Sequence, residues 1–348
     1  MAPGAFRFFL ASLVVVSHYT SLGLGRAAVL LFFSLSGYWV CQMWVGKYAK
    51  TRTPYVTYIV SRVWRLGPVF LLCSGAALVI IGVLPRFLVP LTPFAPIGLD
   101  AIVSSVILLG YNTIKNPPLV PAWSLDLELQ FYLIVPIIIA TLHKRALLTV
   151  VVITGVALAG LVSWGDRTLL PYLPFFLVGM LAAHRPQFRP SSRAAAASAM
   201  AVVVVLVVLA LIPTLRPMLF GGAHPGPMFA YNTPLNVFVA LLAVPFAMNT
   251  VLRPSSQLDR LLSDASYSLY LFHWVPILIV GHYLPQIARS GMVERALWTL
   301  LVLALTYALT IGITVWIDRP LNELRTRFVK SRLRIQTKNK LAVACSTT

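Results

Sequence analysis

The sequence predicts an all-α fold, a polytopic membrane helix bundle with about ten transmembrane helices. Three observations support this prediction. Hydrophobic residues make up 59% of the 348-residue chain, charged residues make up 11%, and the mean hydropathy is +0.84. Soluble domains carry roughly 25% charged residues, so an ordinary soluble enzyme is excluded. A disordered chain is excluded as well, because such chains are poor in apolar residues.

Apolar runs long enough to form membrane helices predict each element in turn. They fall at about 6–24, 27–45, 66–84, 129–142, 146–164, 168–183, 194–213, 232–249, 265–282 and 294–317. A shorter run at 98–111 contains Asp100 and is bordered by prolines. We expect it to form a short re-entrant or interfacial segment, since a span needs about 20 apolar residues.

The distribution of basic residues predicts the orientation. The chain has 28 Lys and Arg residues against 9 Asp and Glu, a net charge of +19. Ten spans with a cytoplasmic N-terminus leave 21 of these basic residues inside and 7 outside, the bias expected of membrane proteins. We therefore predict a multi-pass membrane protein with both termini in the cytoplasm. This topology accounts for the basic excess without nucleic acid as a partner.

Two domains are predicted, a membrane-embedded domain over 1–318 and a basic cytoplasmic tail over 319–348. The tail is expected to contact anionic lipid headgroups. Cys41, Cys73 and Cys345 are far apart and form neither a disulfide framework nor a metal-binding pattern. No histidine and acid have metal-ligand spacing either, so we expect no metal.

The first apolar run contains Arg7 and His18. Eleven residues correspond to three helical turns and a rise of about 16 Å, so both side chains share one helix face. This spacing predicts a cation at the cytoplasmic mouth and an imidazole near mid-membrane. Histidine is well suited to take a proton near neutral pH. The alternative is a structural histidine bonded to a neighbouring carbonyl.

Arg62 and Arg65 share a helix face on the cytoplasmic segment after the second span. Arginine binds phosphate through two parallel hydrogen bonds, so a phosphate-bearing ligand entering from the cytoplasm would suit this pair. The alternatives are the general bias of basic residues to the inside and contact of the pair with lipid phosphates.

Two acids, Asp126 and Glu128, open the fourth span in the segment PAWSLDLELQFYL. A carboxylate could orient His18 and raise its basicity, as it does for catalytic imidazoles. The two acids point in different directions, so we expect one of them to face the site. The alternative role is to complement the helix dipole.

A polar stripe in the ninth span, SYSLYLFHW, contains Ser266, Tyr270 and His273 near one helix face. This stripe predicts the wall of a cavity. Interhelical hydrogen bonding by the tyrosines is the alternative. His273 is a second candidate for a titrating group, ranked below His18.

Four segments in order, RFFLASLVVVSH, FFSLSGYWV, SRVWRLGP with WSLDLELQFYL, and SYSLYLFHW, resemble the acyltransferase-3 family of membrane acyltransferases. The resemblance implies O-acylation of bacterial surface saccharides or related acceptors. It also implies a fold of roughly ten helices, with an acyl-CoA donor on the cytoplasmic side and no tightly bound cofactor. The implied partners are acyl-CoA, a saccharide acceptor and membrane lipids.

The resemblance also implies roles for individual residues. His18 corresponds to the base that deprotonates the acceptor hydroxyl, supported by Arg7 and oriented by Glu128. Arg62 and Arg65 correspond to ligands of the CoA phosphates. The remaining residues expected to bind substrate are Ser36, Trp123, Ser124, Tyr270 and His273.

A transporter or exporter with a polar translocation path is the main alternative function. Many transporters contain inverted repeats and broken helices, and this sequence has no evident repeat. A membrane sensor or scaffold without catalytic chemistry is a weaker alternative. The Arg7–His18 pair favours the enzyme, because a histidine suited to take a proton and an arginine on the same helix face have a direct catalytic interpretation.

Overall fold

The computed structural model describes residues 1–83, 98–114, 117–221, 226–280 and 291–333. These residues form an all-α bundle, as predicted, and the described part contains two isolated bridges and no β-strand. The helices are α1 (Pro3–Tyr19), α2 (Gly25–Gly46), α3 (Pro54–Val83), α4 (Leu99–Ser104), α5 (Trp123–Lys144), α6 (Ala146–Trp164), α7 (Leu173–His184), α8 (Ser192–Leu211), α9 (Asn232–Thr250), α10 (Gln257–Phe272), α11 (274–280), α12 (Met292–Ile313) and α13 (Arg319–Ser331).

Seven helical stretches in the described part are long and apolar enough to cross a membrane. They are Gly25–Lys50, Pro54–Gly82, Val120–Lys144, Ala146–Ser163, Pro186–Leu211, Pro227–Thr250 and Ala296–Ser331. The remaining three predicted spans correspond to α1, α7 and the α10–α11 pair. Their helices have 17, 12 and 16 residues before the first break, shorter than the roughly 20 residues of a straight span. The total of ten spans therefore stays a prediction.

The segment predicted to be re-entrant or interfacial contains α4, which has six residues. At 1.5 Å per residue this helix is about 9 Å long and cannot cross a bilayer. Residues 84–97, which precede it, lie outside the described part. Further along the segment, Gly110 adopts a left-handed φ of 87° and turns the chain toward α5.

Two glycines allow α2 and α7 to pack with their backbones in contact. A Cβ atom added at Gly37 on α2 would lie 2.0 Å from the Phe176 carbonyl oxygen on α7. A Cβ added at Gly179 on α7 would lie 1.9 Å from the Ser34 carbonyl oxygen on α2. Small residues permit such close helix approach in membrane proteins. The crossing fixes the position of Ser36, which lies next to Gly37.

Asp259 on α10 fixes the start of α1, the helix that carries Arg7 and His18. Its carboxylate accepts hydrogen bonds from the amides of Gly4 at 3.1 Å and Ala5 at 2.7 Å. The first amides of a helix have no partner within the helix, so a carboxylate there both bonds them and complements the dipole. Because α1 has no capping side chain of its own, the distant Asp259 supplies the cap.

The chain after residue 318 is not separated from the bundle by a break. Thr314–Asp318 form one turn of π-helix between α12 and α13. Phe328 on α13 packs on Trp64 of α3 with ring centroids 6.0 Å apart, and Val329 is buried. The first part of the predicted tail is therefore a helix docked on α3. Residues 334–348 lie outside the described part, and the domain division at 318 stays a prediction.

Candidate active site

A small cavity of about 50 Å³ lies between α1, α2, α5 and α10. Five of the ten predicted site residues line it: Arg7, Ser36, Ser124, Glu128 and Tyr270. Two further lining residues also come from α10: Ser266, which belongs to the polar stripe, and its neighbour Tyr267. Ser266 and Tyr270 of the stripe thus line the cavity, whereas His273 does not.

Glu128 is held by two short hydrogen bonds. The hydroxyls of Ser36 and Tyr132 each donate to its Oε1 atom at 2.6 Å. Both neighbours act as donors, and the same carboxyl oxygen accepts from each of them. Ser36 lies next to Gly37, so the α2–α7 crossing determines where this bond forms.

Asp126 has a different role, so only one of the paired acids lines the cavity, as expected. Its fully buried carboxylate accepts hydrogen bonds from the amides of Gly110 and Asn112, both at 2.9 Å. The Gln130 side chain adds a third at 3.0 Å. Asp126 therefore stabilises the turn before α5 rather than contributing to the cavity.

Arg7 brings a positive charge to the cavity. Its Nε atom is buried and has no hydrogen-bond partner among the described residues. Glu128 attracts the guanidinium and Arg65 repels it. A buried donor without a partner is costly, so Arg7 retains a donor for a ligand in the cavity.

His18 lies at the far end of α1 from Arg7. The apolar run predicted a helix to residue 24, but α1 ends at Tyr19 and α2 begins at Gly25. His18 is thus in the last turn of the helix, and the residue is exposed. The helix ends there because Thr20 adopts an extended conformation, with φ −131° and ψ 178°, and the Gly23 amide then donates to the Leu219 carbonyl oxygen at 2.7 Å.

Two side chains at the α10–α11 junction surround the His18 ring. His273 stacks on it with centroids 5.3 Å apart and an interplanar angle of 29°. Trp274 meets it edge to face, also at 5.3 Å. His273 was predicted as a site residue, whereas Trp274 was missed, although it directly follows His273 in the sequence.

His273 is fully buried, and its ring nitrogens are not equivalent. Nδ1 lies 3.1 Å from the Leu269 carbonyl oxygen. A carbonyl only accepts, so this contact assigns the proton of the neutral ring to Nδ1. Nε2 is buried without a partner among the described residues and is left as an unoccupied acceptor.

Glu128 does not hydrogen-bond to His18 in the described structure. The hydrogen bonds of Glu128 go to Ser36 and Tyr132. The contacts of His18 are instead with His273 and Trp274. The expected orientation of the imidazole by Glu128 is therefore not made directly, because the carboxylate joins Arg7 in the cavity.

Ser124 and Tyr270 link α5 to α10 beside the cavity. Their hydroxyl oxygens are 2.7 Å apart, and both lie within hydrogen-bonding distance of the Pro121 carbonyl oxygen. Trp123 lies outside the cavity lining. It packs edge to face on Phe33, a lining residue, and lies under the Arg26 guanidinium at 5.9 Å.

Arg62 is buried among tyrosines at the end of the bundle opposite His18. It donates to the Tyr48 hydroxyl at 2.7 Å and lies over the rings of Tyr48, Tyr58 and Tyr132 at 5.4 to 5.9 Å. These contacts are cation–π interactions. Tyr48 was not predicted as a site residue, and its spacing from Arg62 gives no signal in the sequence.

Arg65 forms an ion pair with Asp318. Both carboxylate oxygens accept from its Nη1 at 2.9 Å, and the guanidinium lies over the Tyr267 ring at 4.8 Å. Asp318 is 3% exposed. It was also missed, because 253 residues separate the pair and only tertiary structure brings them together.

No group of three or more His, Cys, Asp and Glu side chains in the described part of the chain could hold a metal ion. The candidate site has three parts. The His18–His273 pair lies at one end, the cavity lined by Arg7 and Glu128 follows, and an arginine cluster of Arg62 and Arg65 lies at the other end.

Comparison with known proteins agrees with the motifs. The acyltransferase domain of the acyltransferase-3 family matches residues 3–317. The exopolysaccharide production protein ExoZ of Rhizobium meliloti (strain 1021) is 27% identical over 279 residues, which cover 76% of this chain and 79% of ExoZ. No solved structure matches. Since the family match covers nearly all of the helical bundle and includes every predicted site residue, the chain belongs to the acyltransferase-3 family of membrane acyltransferases.

Proposed function

We propose that this protein transfers an acyl group from cytoplasmic acyl-CoA to a hydroxyl of a cell-surface or lipid-linked saccharide, and that the acyl group is acetyl. The observation that carries the proposal is the arrangement along α1. Arg7 lies in a polar cavity with Glu128, and an exposed imidazole, His18, ends the same helix. The family match supports acyl transfer, and the name of the relative ExoZ supports a polysaccharide acceptor.

His18 is the general base in this proposal. The imidazole removes the proton of the acceptor hydroxyl as its oxygen attacks the thioester carbonyl carbon. The new C–O bond forms, the C–S bond breaks, and the imidazolium returns the proton to the leaving thiolate. Proton transfer by a positioned histidine contributes typically 10²- to 10⁴-fold to the rate. Formation of an acyl-histidine before attack by the acceptor is the alternative order of steps.

Arg7 acts on the donor rather than on the reacting atoms. Eleven residues separate it from His18, a rise of about 16 Å along the helix. We therefore assign Arg7 to hold a polar part of the donor, with Glu128 fixing the guanidinium electrostatically.

The donor extends from the arginine cluster to His18 in this proposal. Arg62 and Arg65 receive the CoA phosphates, and the thioester arm passes the cavity lined by Ser36, Ser124 and Tyr270. A cavity of about 50 Å³ is far smaller than the roughly 300 Å³ or more of typical ligand pockets. This size favours a short acyl group and requires side chains to move when the donor enters.

The orientation follows from the basic residues. We propose that the protein lies in the bacterial inner membrane with both termini cytoplasmic, which puts the arginine cluster on the side of the acyl-CoA pool. His18, at the opposite end of α1, then faces an acceptor approaching from outside. His273 and Trp274 complete the acceptor side of the site, and Trp123 marks its rim.

The test is transfer of radiolabel from acetyl-CoA to a surface-glycan extract by membranes containing the protein. We expect His18→Ala to lower the transfer rate about 100-fold or more at unchanged membrane abundance. His184→Ala is the matched control, because His184 packs on His143 at the end of α7 and does not contact His18; it should keep the wild-type rate. Transfer by His18→Ala at the wild-type rate would refute the assignment of the base.

A second measurement separates the two orders of steps. Protein incubated with labelled acetyl-CoA and no acceptor is denatured and examined for covalent label. Label that is present in wild type and absent in His18→Ala indicates an acyl-histidine. Unlabelled protein that still transfers to glycan indicates direct attack.

A further inference from the structure

Helix α13 is attached to the arginine end of the bundle by several contacts. Phe328 packs on Trp64, Val329 is 1% exposed, and Leu333 pairs with Thr51 in an antiparallel bridge. These contacts place the helix along the start of α3, the helix that carries Arg62 and Arg65. Because the family match ends at residue 317, nothing in the family comparison assigns a role to α13.

Arg325 lies on the face of α13 that is turned toward α3. It follows Asp318, the ion-pair partner of Arg65, by seven residues, and it precedes the buried Val329 by four. Seven residues are close to two helical turns, so the three side chains share one face. The Arg325 Nε atom is buried and has no hydrogen-bond partner among the described residues.

The surroundings of Arg325 carry an excess of positive charge. Arg62 and Arg65 both repel its guanidinium, and Lys47 is in turn repelled by Arg325 and Arg62. Asp318 attracts Arg325 but is already bound by Arg65. Desolvated cations that lack partners are costly. A cluster of this kind is stabilised when an anion with several negative oxygens binds to it.

The hydrogen-bonding state of each arginine distinguishes Arg325 from the pair predicted by sequence. Arg62 donates to Tyr48, and Arg65 is engaged by both oxygens of Asp318. Arg325 makes no hydrogen bond or ion pair within the part of the chain that the structure describes. Arg62 also has a buried Nε atom without a partner, but its Nη2 is engaged by Tyr48. Among the described residues, Arg325 is the arginine of these three whose whole guanidinium makes no hydrogen bond, so its donors are free to bind phosphate oxygens, which suit a guanidinium geometrically.

We propose that Arg325 on α13 is a third phosphate ligand for the CoA donor, completing the site formed by Arg62 and Arg65. This inference rests on the proposed function. It assigns α13 to donor binding, whereas the sequence predicts a tail that contacts anionic lipid headgroups. A phospholipid headgroup offers the same phosphate chemistry, and the experiment separates the two sources.

The experiment measures thermal unfolding of the purified protein in detergent as CoA is added. The variants are Arg325→Ala, Arg325→Lys and Arg327→Ala. Arg327 is the matched control, because it carries the same charge on the same helix but is exposed. We expect wild type and Arg327→Ala to be protected at the same CoA concentrations. Arg325→Ala should need about tenfold to hundredfold more CoA, the loss expected for a charged hydrogen bond, and Arg325→Lys should be intermediate.

Initial rates with two donors provide the specificity test. Acetyl-pantetheine has the thioester arm of acetyl-CoA but lacks the nucleotide phosphates. We expect Arg325→Ala to raise the KM for acetyl-CoA, leave its kcat near that of wild type, and leave the rate with acetyl-pantetheine unchanged. An equal loss with both donors would show a structural defect and overturn the proposal.

The remaining outcomes are also decisive. Equal CoA protection of Arg325→Ala and wild type would refute the role of Arg325 and leave the proposed acyltransferase reaction intact. Absence of CoA protection in wild type would contradict the CoA donor itself. Protection of wild type by phosphatidylglycerol micelles but not by CoA, lost in Arg325→Ala, would identify a lipid site and overturn the proposal.

Discussion

Replacing Gly37 by alanine tests whether the crossing of α2 and α7 positions the catalytic cavity. The added Cβ would lie 2.0 Å from the Phe176 carbonyl oxygen and 2.8 Å from its carbonyl carbon. Both are backbone atoms, so rotation of a side chain cannot relieve the contact. The two helices must separate by about 1 Å before the contact reaches the 3.0 Å limit that real Cβ atoms respect.

The energetic cost follows from this displacement. Inserting a methyl group into a packed core costs typically about 1–3 kcal/mol, and more where the obstacle cannot move. The contact is with backbone, so we expect about 3 kcal/mol of destabilisation. Ser36 moves with α2, and its 2.6 Å hydrogen bond to Glu128 cannot survive a shift of about 1 Å. We therefore expect acyl transfer to fall more than the loss of stability alone would cause.

The assay is thermal unfolding in detergent together with acyl transfer measured well below the unfolding temperature. Gly46→Ala is the matched control, because it lies on the same helix and has no atom within 4 Å of an added Cβ. We expect this control to keep a stability and activity close to those of wild type, since Gly46 is the last residue of α2 and the helix preference for alanine applies mainly to the helix interior. A Gly37→Ala protein as stable and as active as wild type would refute the close crossing.

Two further predictions concern the ends of the site helices. Burial alone would raise the pKa of the Asp259 carboxyl, but hydrogen bonds from the Ser255 hydroxyl and two α1 amides outweigh it and lower the pKa below the usual 3.8. The cap is thus fully present above pH 3.8 and is lost as the pH falls through the lower, folded-state pKa. Asp259→Asn should lower the free energy of unfolding by about 1 kcal/mol at neutral pH, and its stability should fall less steeply at acid pH than that of wild type. An equal loss of stability at acid pH in the variant and in wild type would contradict the cap. Asp318→Asn should cost about 3 kcal/mol in thermal unfolding, because it leaves the Arg65 cation without its buried partner; a cost below that of removing the exposed Asp166, which pairs with Arg26, would contradict this ion pair.

Much of the fold could be predicted because membrane helices are determined locally. The bilayer requires about 20 apolar residues per span and leaves no backbone polar group unpaired. This constraint identified α2, α3, α5, α6, α8, α9 and α12 from composition alone. It worked less well for α1 and α10, whose polar residues and short lengths reflect the site that they carry. The turn at His273, which ends α10, has no signal in the apolar run.

The candidate site was predictable as a set of residue types but not as a set of contacts. Charged groups in apolar runs are costly and therefore stand out in a sequence, which singled out Arg7, His18 and Glu128. Their partners could not be inferred, because the pattern of one helix contains no information about its neighbour. The expected contact between Glu128 and His18 depends on how α5 packs against α1, and it is not made, because Glu128 bonds to Ser36 and Tyr132.

The sequence by itself determined the membrane environment, the helical class, the basic bias and the motifs of the family. Each depends on composition or on spacing within a single element. The tertiary structure alone decided that His273 and Trp274 surround His18, that Asp318 pairs with Arg65, and that Arg325 joins the arginine end. These contacts join residues distant in sequence, and only helix packing brings them within hydrogen-bonding or electrostatic range.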